Sequence, residues 1–472
     1  MSKSKSNLLW IFSNLCFLII GLIFFDSSKF YYCLSILGAA QMILSIYIYN
    51  KQGERLFSPM IVYVIVMYLF LYGQCLMWLI TENYDGRNII SIYSKADIVK
   101  TQIFTLISLF FFHIACINVN RKKINSDKLV NKKLILLKSI KEVGLFLIIV
   151  SIIPEIVFNI RLFIIGYTQG YMGIYENQAT GLFLKFLNLR EFFFPGLVLL
   201  FVGDSKQNNN KLLKKGIIVI LVLDILIGFY VGSRADALMQ CLGLMLLLTT
   251  LTSKKFTKST YLKYGLIFLA LLSITNVVRN IRTESNKTFS SFINAFSEKS
   301  GNGIFVETMG EMGGSMATCI ETMNLVPKYF EYKYGTSYLY SFTWFLPGSL
   351  NLSDSASMNK WIDSVRYTGS GWGFSTTGEA YFNFGLYGAI LFVVFGLFAG
   401  KYFRGLNNNL LKENPLELAL SFILFSRLLI FSRIDFLSTL PSIIYFYLLI
   451  KIFVLIIYNY NNRGRSLLDD KV

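Results

Sequence analysis

The sequence is poor in charged side chains. Asp, Glu, Lys and Arg make up 15% of its 472 residues, whereas soluble domains carry about 25%. Hydrophobic residues make up 54% of the chain, and apolar runs of roughly 18 or more residues recur along it. This composition argues against a soluble protein and predicts an all-α, polytopic membrane protein.

Histidine occurs once, at His113 in the apolar stretch "FFFHIAC". A single histidine excludes a metal site that needs two of them, and it excludes a His-based catalytic triad with a spare base. A lone histidine in an apolar run is more often a hydrogen-bonded packing residue than a ligand. We therefore predict a structural role for His113, in the cytoplasmic half of its span.

The six cysteines show no CxxC spacing. Five lie in apolar runs and one, Cys319, lies in a long polar segment, so the sequence supports neither a disulfide framework nor a metal site. Repeats of fixed period are also absent, which argues against a solenoid and an inverted-repeat transporter. The first apolar run, 8–25, lacks a small-residue cleavage site and is predicted to be a retained span.

The formal net charge of +18 lies mostly in short loops between the apolar runs. Basic loops mark the cytoplasmic side of a membrane protein, so this charge indicates topology and not nucleic-acid binding. Every even-numbered span ends at such a loop, which predicts cytoplasmic termini and a single membrane domain, 1–472. The twelve predicted spans are 8–25, 30–49, 60–80, 101–119, 143–165, 185–203, 216–231, 236–252, 264–280, 381–400, 416–434 and 437–458.

Between spans 9 and 10 the sequence predicts one large extracytoplasmic loop, 279–380. This segment is polar, aromatic and rich in glycine. Its stretch "FVETMGEMGGSMATCIETMNLVP" predicts helix up to Pro327, and Gly310, Gly313 and Gly314 allow close packing or a bend. The loop is therefore predicted to be partly helical.

Several arginines are predicted at the outer ends of spans. In "VGSRADAL", Arg234 starts span 8, and a guanidinium at a helix N-terminus suits a phosphate; a snorkelling pair with Asp236 is the alternative. Arg279 and Arg282 lie where span 9 ends, beside a polar stripe that predicts a cavity, unless they only anchor the helix at the interface. Arg433 lies near the outer end of span 11, where a structural ion pair is the alternative.

The loop also carries aromatic side chains and a carboxylate that fit two interpretations each. Tyr338, Trp344 and Trp372 fit either an interfacial aromatic belt or stacking against the apolar faces of sugars. Glu379, at the start of span 10, fits either a helix cap or a general base. Residue type alone leaves both pairs of interpretations open.

Three stretches of the sequence together carry a resemblance to a known family. They are "VGSRADAL", the Glu-Met-Gly-Gly-Ser helix that runs to "NLVPKYFEYKYGTSYLYSF", and "FSTTGEAYFNFGLYGAILF". In this order and spacing they resemble the bacterial oligosaccharide repeat-unit polymerases, the O-antigen or capsule polymerases of the Wzy type. The resemblance covers mainly residues 220–400, and the span count and late outer loop agree over the whole chain. The paired Arg-x10-Gly pattern of some members is absent.

The resemblance implies a glycosyltransferase that needs no metal and no cofactor, at the outer leaflet of the cytoplasmic membrane. Its substrates would be undecaprenyl-diphosphate-linked oligosaccharides, and its partners a flippase and a chain-length regulator. A diphosphate leaving group needs fixed cations, for which Arg234, Arg279, Arg282, Arg366 and Arg433 are candidates. The attacking hydroxyl needs a general base, for which Glu311 and Glu379 are candidates.

Three other functions remain open from the sequence. A lipid-linked oligosaccharide flippase or other transporter is disfavoured by the long outer loop. A ligase of the O-antigen type would use the same donor, and the lack of an outer-loop histidine counts mildly against it. A metal-using mannosyltransferase would need an adjacent acidic pair in an early outer loop, where Glu82 and Asp85 come closest.

Overall fold

The computed structural model describes residues 1–25, 29–84, 86, 88–119, 130–169, 173–177, 179–204, 211–231, 234–251, 303–366, 373–406, 410 and 413–469. Throughout these ranges the chain forms helices joined by turns and short loops, with no strand. The predicted all-α class is confirmed.

The helices in chain order are α1 (Lys3–Ile23), α2 (Phe30–Lys51), α3 (Pro59–Met77), α4 (Ile89–Ile92), α5 (Lys95–Asn118), α6 (Val130–Thr168), α7 (Gly173–Glu176), α8 (Gly181–Asn188), α9 (Phe193–Gly203), α10 (Lys211–Val231), α11 (Arg234–Leu251), α12 (Ile304–Gly313), α13 (Met316–Leu325), α14 (Thr336–Ser341), α15 (Ser353–Ala356), α16 (Met358–Arg366), α17 (Thr376–Phe384), α18 (Phe392–Phe403), α19 (Pro415–Leu428), α20 (Phe436–Ile443) and α21 (Ile450–Asp469). Short 3-10 segments lie at Leu189–Phe192, Gly348–Leu350, Gly385–Leu391 and Phe431–Arg433, and a π-helical turn lies at Ile444–Leu449.

Nine helical stretches in the described part of the chain are long and apolar enough to cross a membrane. They are Lys3–Ile23, Phe30–Lys51, Pro59–Met77, Lys95–Asn118, Lys133–Thr168, Gly181–Gly203, Thr376–Phe403, Pro415–Arg433 and Phe436–Arg463. Two shorter apolar helices, Ile218–Tyr230 and Leu238–Leu251, coincide with predicted spans 7 and 8, and predicted span 9 lies outside the described residues. The polytopic architecture of about twelve spans is confirmed.

By its internal contacts the chain divides into two compact units. Unit 1 is formed by Met1–Arg121, Ser300–Gly405 and Arg427–Ser442, and unit 2 by Lys122–Lys299, Leu406–Ser426 and Ile443–Val472. The single membrane domain inferred from the sequence stays a prediction.

Helix α3 is the most buried apolar helix of unit 1. The Ser58 hydroxyl caps it by accepting a hydrogen bond from the Ile61 amide at 3.4 Å, and Pro59 occupies its first position, where proline costs no hydrogen bond. Its apolar residues extend around the whole circumference, and 89% of the residues in its 18-residue apolar window are buried. Such a helix is surrounded by others, so α3 forms a rigid centre for unit 1.

His113 confirms its predicted role as a packing residue. The ring lies fully buried in α5, with the Tyr49 hydroxyl 2.7 Å from Nδ1 and the Tyr68 hydroxyl 3.3 Å from Nε2. Tyr68 in turn donates to Gln41 at 3.1 Å. A hydrogen-bonded chain thus joins α2, α3 and α5 inside the span, and it satisfies both ring nitrogens.

In unit 2, α6 and α9 cross at small residues. A Cβ atom on Gly144 would lie 2.7 Å from the Leu200 nitrogen, and one on Gly196 would lie 3.1 Å from the Gly144 oxygen. Small residues let two membrane helices approach at backbone distance. At one end of the crossing, the Lys141 ammonium bonds the buried Asp204 carboxylate at 2.8 Å.

The described part of the large loop, from residue 303 onward, is folded against the helices of unit 1. Helices α13, α16 and α17 share one hydrophobic cluster with α5. Its buried members are Phe104, Cys319, Met323, Val326, Met358, Ile362, Phe374, Tyr381, Phe382 and Ala389. The loop is therefore a packed cap whose position is determined by apolar contacts with a span.

Two glycines dock α12, the first loop helix among the described residues, on α3. A Cβ atom on Gly73 would lie 2.7 Å from the Met309 carbonyl oxygen and 3.0 Å from the Gly313 backbone. The buried Gln74 side chain strengthens this contact, since its amide donates to the Gly310 carbonyl and its oxygen accepts from the Ile89 amide, both at 2.8 Å. The predicted close packing by glycine is confirmed, and the chain also bends between α12 and α13.

We expect Gly73→Ala to destabilise unit 1. The added methyl meets backbone atoms that cannot rotate away, and such overpacking costs about 1–3 kcal/mol, less about 1 kcal/mol from the better helix propensity of alanine. The measurement is the midpoint of thermal unfolding of the purified protein in detergent. Gly216→Ala is the control, because nothing lies within 4 Å of that position in α10. Equal midpoints for both variants would contradict the docking role.

Candidate active site

Glu379 lies in the first turn of α17 and is held from two sides. The Ser375 hydroxyl caps this helix through the Gly378 amide at 3.1 Å, so Glu379 itself is not the cap. One carboxylate oxygen accepts from the Ser337 hydroxyl at 2.8 Å, and the other accepts from the Phe436 amide at 2.8 Å. With 1% of its surface exposed, the carboxylate joins α14, α17 and the start of α20.

Asn383 completes the network around Glu379. It lies one turn along α17, donates to the Ser337 hydroxyl at 2.8 Å, and accepts from the Gly335 amide at 2.9 Å. The segment before α14 thus follows the face of α17 that carries Glu379 and Asn383. The spacing of four residues puts the two side chains on one helical face.

Asp435 binds the segment between α19 and α20 to the loop. Its carboxylate accepts from the Met358 amide at 3.0 Å and the Asn359 amide at 3.3 Å, at the start of α16. An acidic side chain is favourable there because the helix dipole is positive at its N-terminus. Asp435 is fully buried, so it fixes α16 against the end of a span.

Arg433 lies two residues before Asp435, and its backbone also forms a hydrogen bond with the loop. Its carbonyl accepts from the Phe374 amide at 3.0 Å, just before α17. The guanidinium lies 5.9 Å from the Phe70 ring centroid on α3, within cation–π distance. The structure therefore places Arg433 in unit 1, where the end of the loop meets α3.

Arg366, a predicted diphosphate ligand, forms an ion pair with Glu321. Glu321 is 4% exposed and also accepts from the Tyr93 hydroxyl at 2.5 Å. The three side chains connect the end of α16, the middle of α13 and the segment two residues before α5. The Arg366 side chain remains 36% exposed while it pairs with Glu321.

Glu311, the other predicted base, lies in α12 and is half-buried. Glu307 lies one turn earlier on the same face and is buried. The chain bends after Gly313, and beyond the bend the Thr318 hydroxyl accepts from the Ser375 amide at 3.0 Å. Of the two candidate bases, Glu311 is the more accessible and Glu379 the more tightly held.

The aromatic candidates have different surroundings. The Tyr338 ring lies 5.4 Å from the Phe436 ring and 6.4 Å from the Phe384 ring. Its hydroxyl is buried with no hydrogen-bond partner among the described residues, and burial, followed by the nearby charge of Glu379, raises its pKa well above the usual value. Trp344 is half-buried and packs on Phe345 with centroids 5.9 Å apart.

Some candidates cannot be placed with the others. Arg279, Arg282 and Trp372 lie outside the described residues. Helix α11 begins at Arg234, as predicted for span 8, but the described part of the chain does not include the Arg234 side chain. The diphosphate, carboxylate and sugar roles of all these residues stay predictions.

Sequence reasoning missed Ser337, Asn383 and Glu321. Asn383 could have been predicted from the sequence, since it follows Glu379 by four residues and must share its helical face. No sequence pattern pointed to Ser337 or Glu321, because their partners are 42 and 45 positions away in the chain. Only the packing of α13, α14, α16 and α17 brings these groups together.

The sequence also matches a protein family over nearly its whole length. Residues 7–463 match the family described as O-antigen polysaccharide polymerase Wzy. No curated protein and no solved structure matches the chain.

Proposed function

Since the chain belongs to the O-antigen polysaccharide polymerase Wzy family, we propose that it joins undecaprenyl-diphosphate-linked oligosaccharide repeat units into a surface polysaccharide. The family supports a polymerase role and a glycosyl-transferring enzyme in a multi-pass membrane protein. The reaction takes place at the outer face of the cytoplasmic membrane, with both chain termini in the cytoplasm. The observation that carries this proposal is the family match over residues 7–463.

The proposed reaction is a transfer of the growing chain to a new repeat unit. The bond between the sugar C1 atom and the diphosphate oxygen breaks, and the diphosphate leaves with the electron pair. A hydroxyl at the non-reducing end of the incoming lipid-linked unit attacks C1, and its proton passes to a carboxylate. Capsule, exopolysaccharide and O-antigen are all products of this type.

The proposed diphosphate ligands are the arginines Arg234, Arg279, Arg282, Arg366 and Arg433. Fixed guanidinium groups stabilise charge that develops on a leaving diphosphate, because they present several donors in a rigid plane. For Arg366, the ion pair with the buried Glu321 supports this role. A preorganised guanidinium loses less side-chain freedom when it binds a phosphate.

Glu311 is the proposed proton acceptor, and Glu379 is the second candidate. A general base must reach the hydroxyl that it deprotonates, and the half-buried Glu311 meets that condition more readily. Glu379 already accepts from Ser337 and Phe436, which suits a carboxylate that holds the cap in place. Tyr338, Trp344 and Trp372 are the proposed sugar contacts.

We propose that the reaction needs no metal. The sole histidine is engaged by Tyr49 and Tyr68 within a span, and the charge that a metal would supply is assigned to arginines. In membranes that contain the protein and synthetic lipid-linked repeat units, we expect polymer to form at an unchanged rate when EDTA is added. The measurement is the ladder of chain lengths on a gel. A rate that falls with EDTA and returns with Mg²⁺ or Mn²⁺ would contradict this point.

The same assay tests the function itself. Membranes from cells that lack the protein are the matched control, and they should leave single repeat units on the lipid. A lipid-linked unit that disappears without longer chains would instead indicate transfer to another acceptor, as a ligase performs. No change in either pool would contradict a glycosyl transfer.

A further inference from the structure

An apolar groove runs along one side of unit 1, between α1, α2 and α5. It has a volume of about 440 Å³, within the range of about 300–1,000 Å³ that small-molecule sites occupy. Its floor is formed by buried residues of α2, such as Leu34 and Leu37. Its rim carries Leu18 and Ile107, which are 59% and 44% exposed. The groove therefore opens sideways, toward the membrane interior.

The groove has one polar end, and the polar groups there are hydrogen-bonded within the protein. Gln41 and Asn14 line it, but the Gln41 amide donates to the Asn14 side chain at 2.9 Å and to the Leu106 carbonyl at 3.2 Å. Tyr68 donates to the remaining Gln41 oxygen. Because the Gln41 amide already has its hydrogen-bond partners, it does not need a polar group of a ligand at the inner end of the groove. Its occupant there must be apolar.

The other end of the groove lies at the outer face when the amino terminus is cytoplasmic. Lys100 precedes the groove residues Ile103, Ile107 and Phe110 by three, seven and ten positions, so it continues their stripe along α5. Lys95 is the first residue of α5, and Lys29 immediately precedes α2. All three lysines are exposed.

Two carboxylates also lie near this mouth among the described residues. The Glu82 carboxylate accepts from the Tyr31 hydroxyl at 2.6 Å, and the Asp97 carboxylate accepts from the Ser94 hydroxyl at 2.7 Å. With three lysines against two carboxylates, the described part of the mouth carries a net positive charge, which suits an anionic head group on an apolar chain.

Helix α5 connects the groove to the folded cap. Ile103 faces the groove, while its neighbour Phe104 belongs to the hydrophobic cluster under α13 and α17. Just before α5, Tyr93 binds Glu321, which holds Arg366. A lipid with its chain in the groove would therefore carry its head group at the same end of α5 as the guanidinium of Arg366.

We propose that this groove binds the polyisoprenyl chain of a lipid-diphosphate-linked substrate, with the diphosphate at the outer end of α5. The assignment rests on the proposed function for the identity of the lipid. The geometry favours one chain with a strongly anionic head, because the groove is a single channel with a basic mouth beside the cap.

A photoreactive probe tests the proposal with the full-length protein in its membrane. The probe is a polyprenyl diphosphate with a diazirine on its chain, and labelled peptides are mapped by mass spectrometry. We expect label on α1, α2 and α5, and we expect unlabelled polyprenyl diphosphate to compete while dioleoyl phosphatidylglycerol does not. Label elsewhere, or equal competition by both lipids, would overturn the assignment.

A matched pair of variants sharpens the test. Leu18 lines the groove and Ile19 does not, although they are 59% and 56% exposed on the same helix. Leu18→Trp should lower the groove label about tenfold, which corresponds to about 1.4 kcal/mol of binding free energy, and Ile19→Trp should leave it unchanged. An equal effect of both substitutions would count against the groove.

Measuring polymer formation in the same membranes tests the proposed function separately from the lipid site. Wild-type membranes that label in the groove but form no polymer contradict the proposed function and support the lipid site. Membranes that form polymer but label elsewhere contradict the lipid site alone.

Discussion

Replacing Arg234 by alanine is expected to abolish the polymer while single repeat units accumulate on their lipid. Arg234 begins α11, and a guanidinium at a helix N-terminus is well suited to bind a diphosphate. Removing one preorganised group that stabilises developing charge typically lowers a rate about 10²–10³-fold. The measurement is the chain-length ladder and the lipid-linked pool in cells that produce the variant at the wild-type level.

Two further substitutions separate phosphate binding from a structural ion pair. Arg234→Lys keeps the charge but loses the two-pronged donor geometry, so it should restore only part of the activity. Asp236→Ala should leave the polymer intact if Arg234 serves the substrate. If the two residues only stabilise each other, both alanine variants should lose folded protein to the same extent, and long chains in Arg234→Ala cells would refute the phosphate role.

Substituting the two candidate carboxylates is expected to produce the second large effect. Loss of a general base lowers a rate about 10²–10⁴-fold, so Glu311→Gln should nearly stop polymer growth while the protein level stays normal. Glutamine preserves the shape of the side chain and removes its ability to take a proton. The rate of chain growth in membranes, normalised to protein amount, is the quantity to measure.

Glu379→Gln needs its own control because Glu379 also has a structural role. A glutamine oxygen can still accept from the Phe436 amide while its NH₂ group donates to Ser337, so the cap should hold. Ser337→Ala removes one hydrogen bond to Glu379 and leaves the carboxylate; it should cost about 1 kcal/mol of stability and little activity. Full activity in both glutamine variants would rule out a carboxylate base at these two positions.

The candidate site was only partly predictable from the sequence. Glu379 was visible because a carboxylate follows Ser and Thr at the start of a span, and the structure shows that Ser375 is the cap. The glycines at 310 and 313 predicted close packing, but not that Gly313 lies against Gly73 in α3 and Gly310 against the Tyr84 ring. Arg366 was visible as a cation near the end of the loop, whereas its pairing with Glu321 depends on how α13 and α16 pack.

By itself, the sequence determined the all-α class, the approximate number of spans and the family. Each of these depends on local composition, since about 20 apolar residues suffice to cross a bilayer, or on motif order along the chain. Only the tertiary structure decided that the described loop packs as a cap on α3 and α5, that Glu379 holds three segments together, and that α1, α2 and α5 enclose a groove. These features join residues far apart in the sequence, and such contacts follow from packing geometry, which no local pattern encodes.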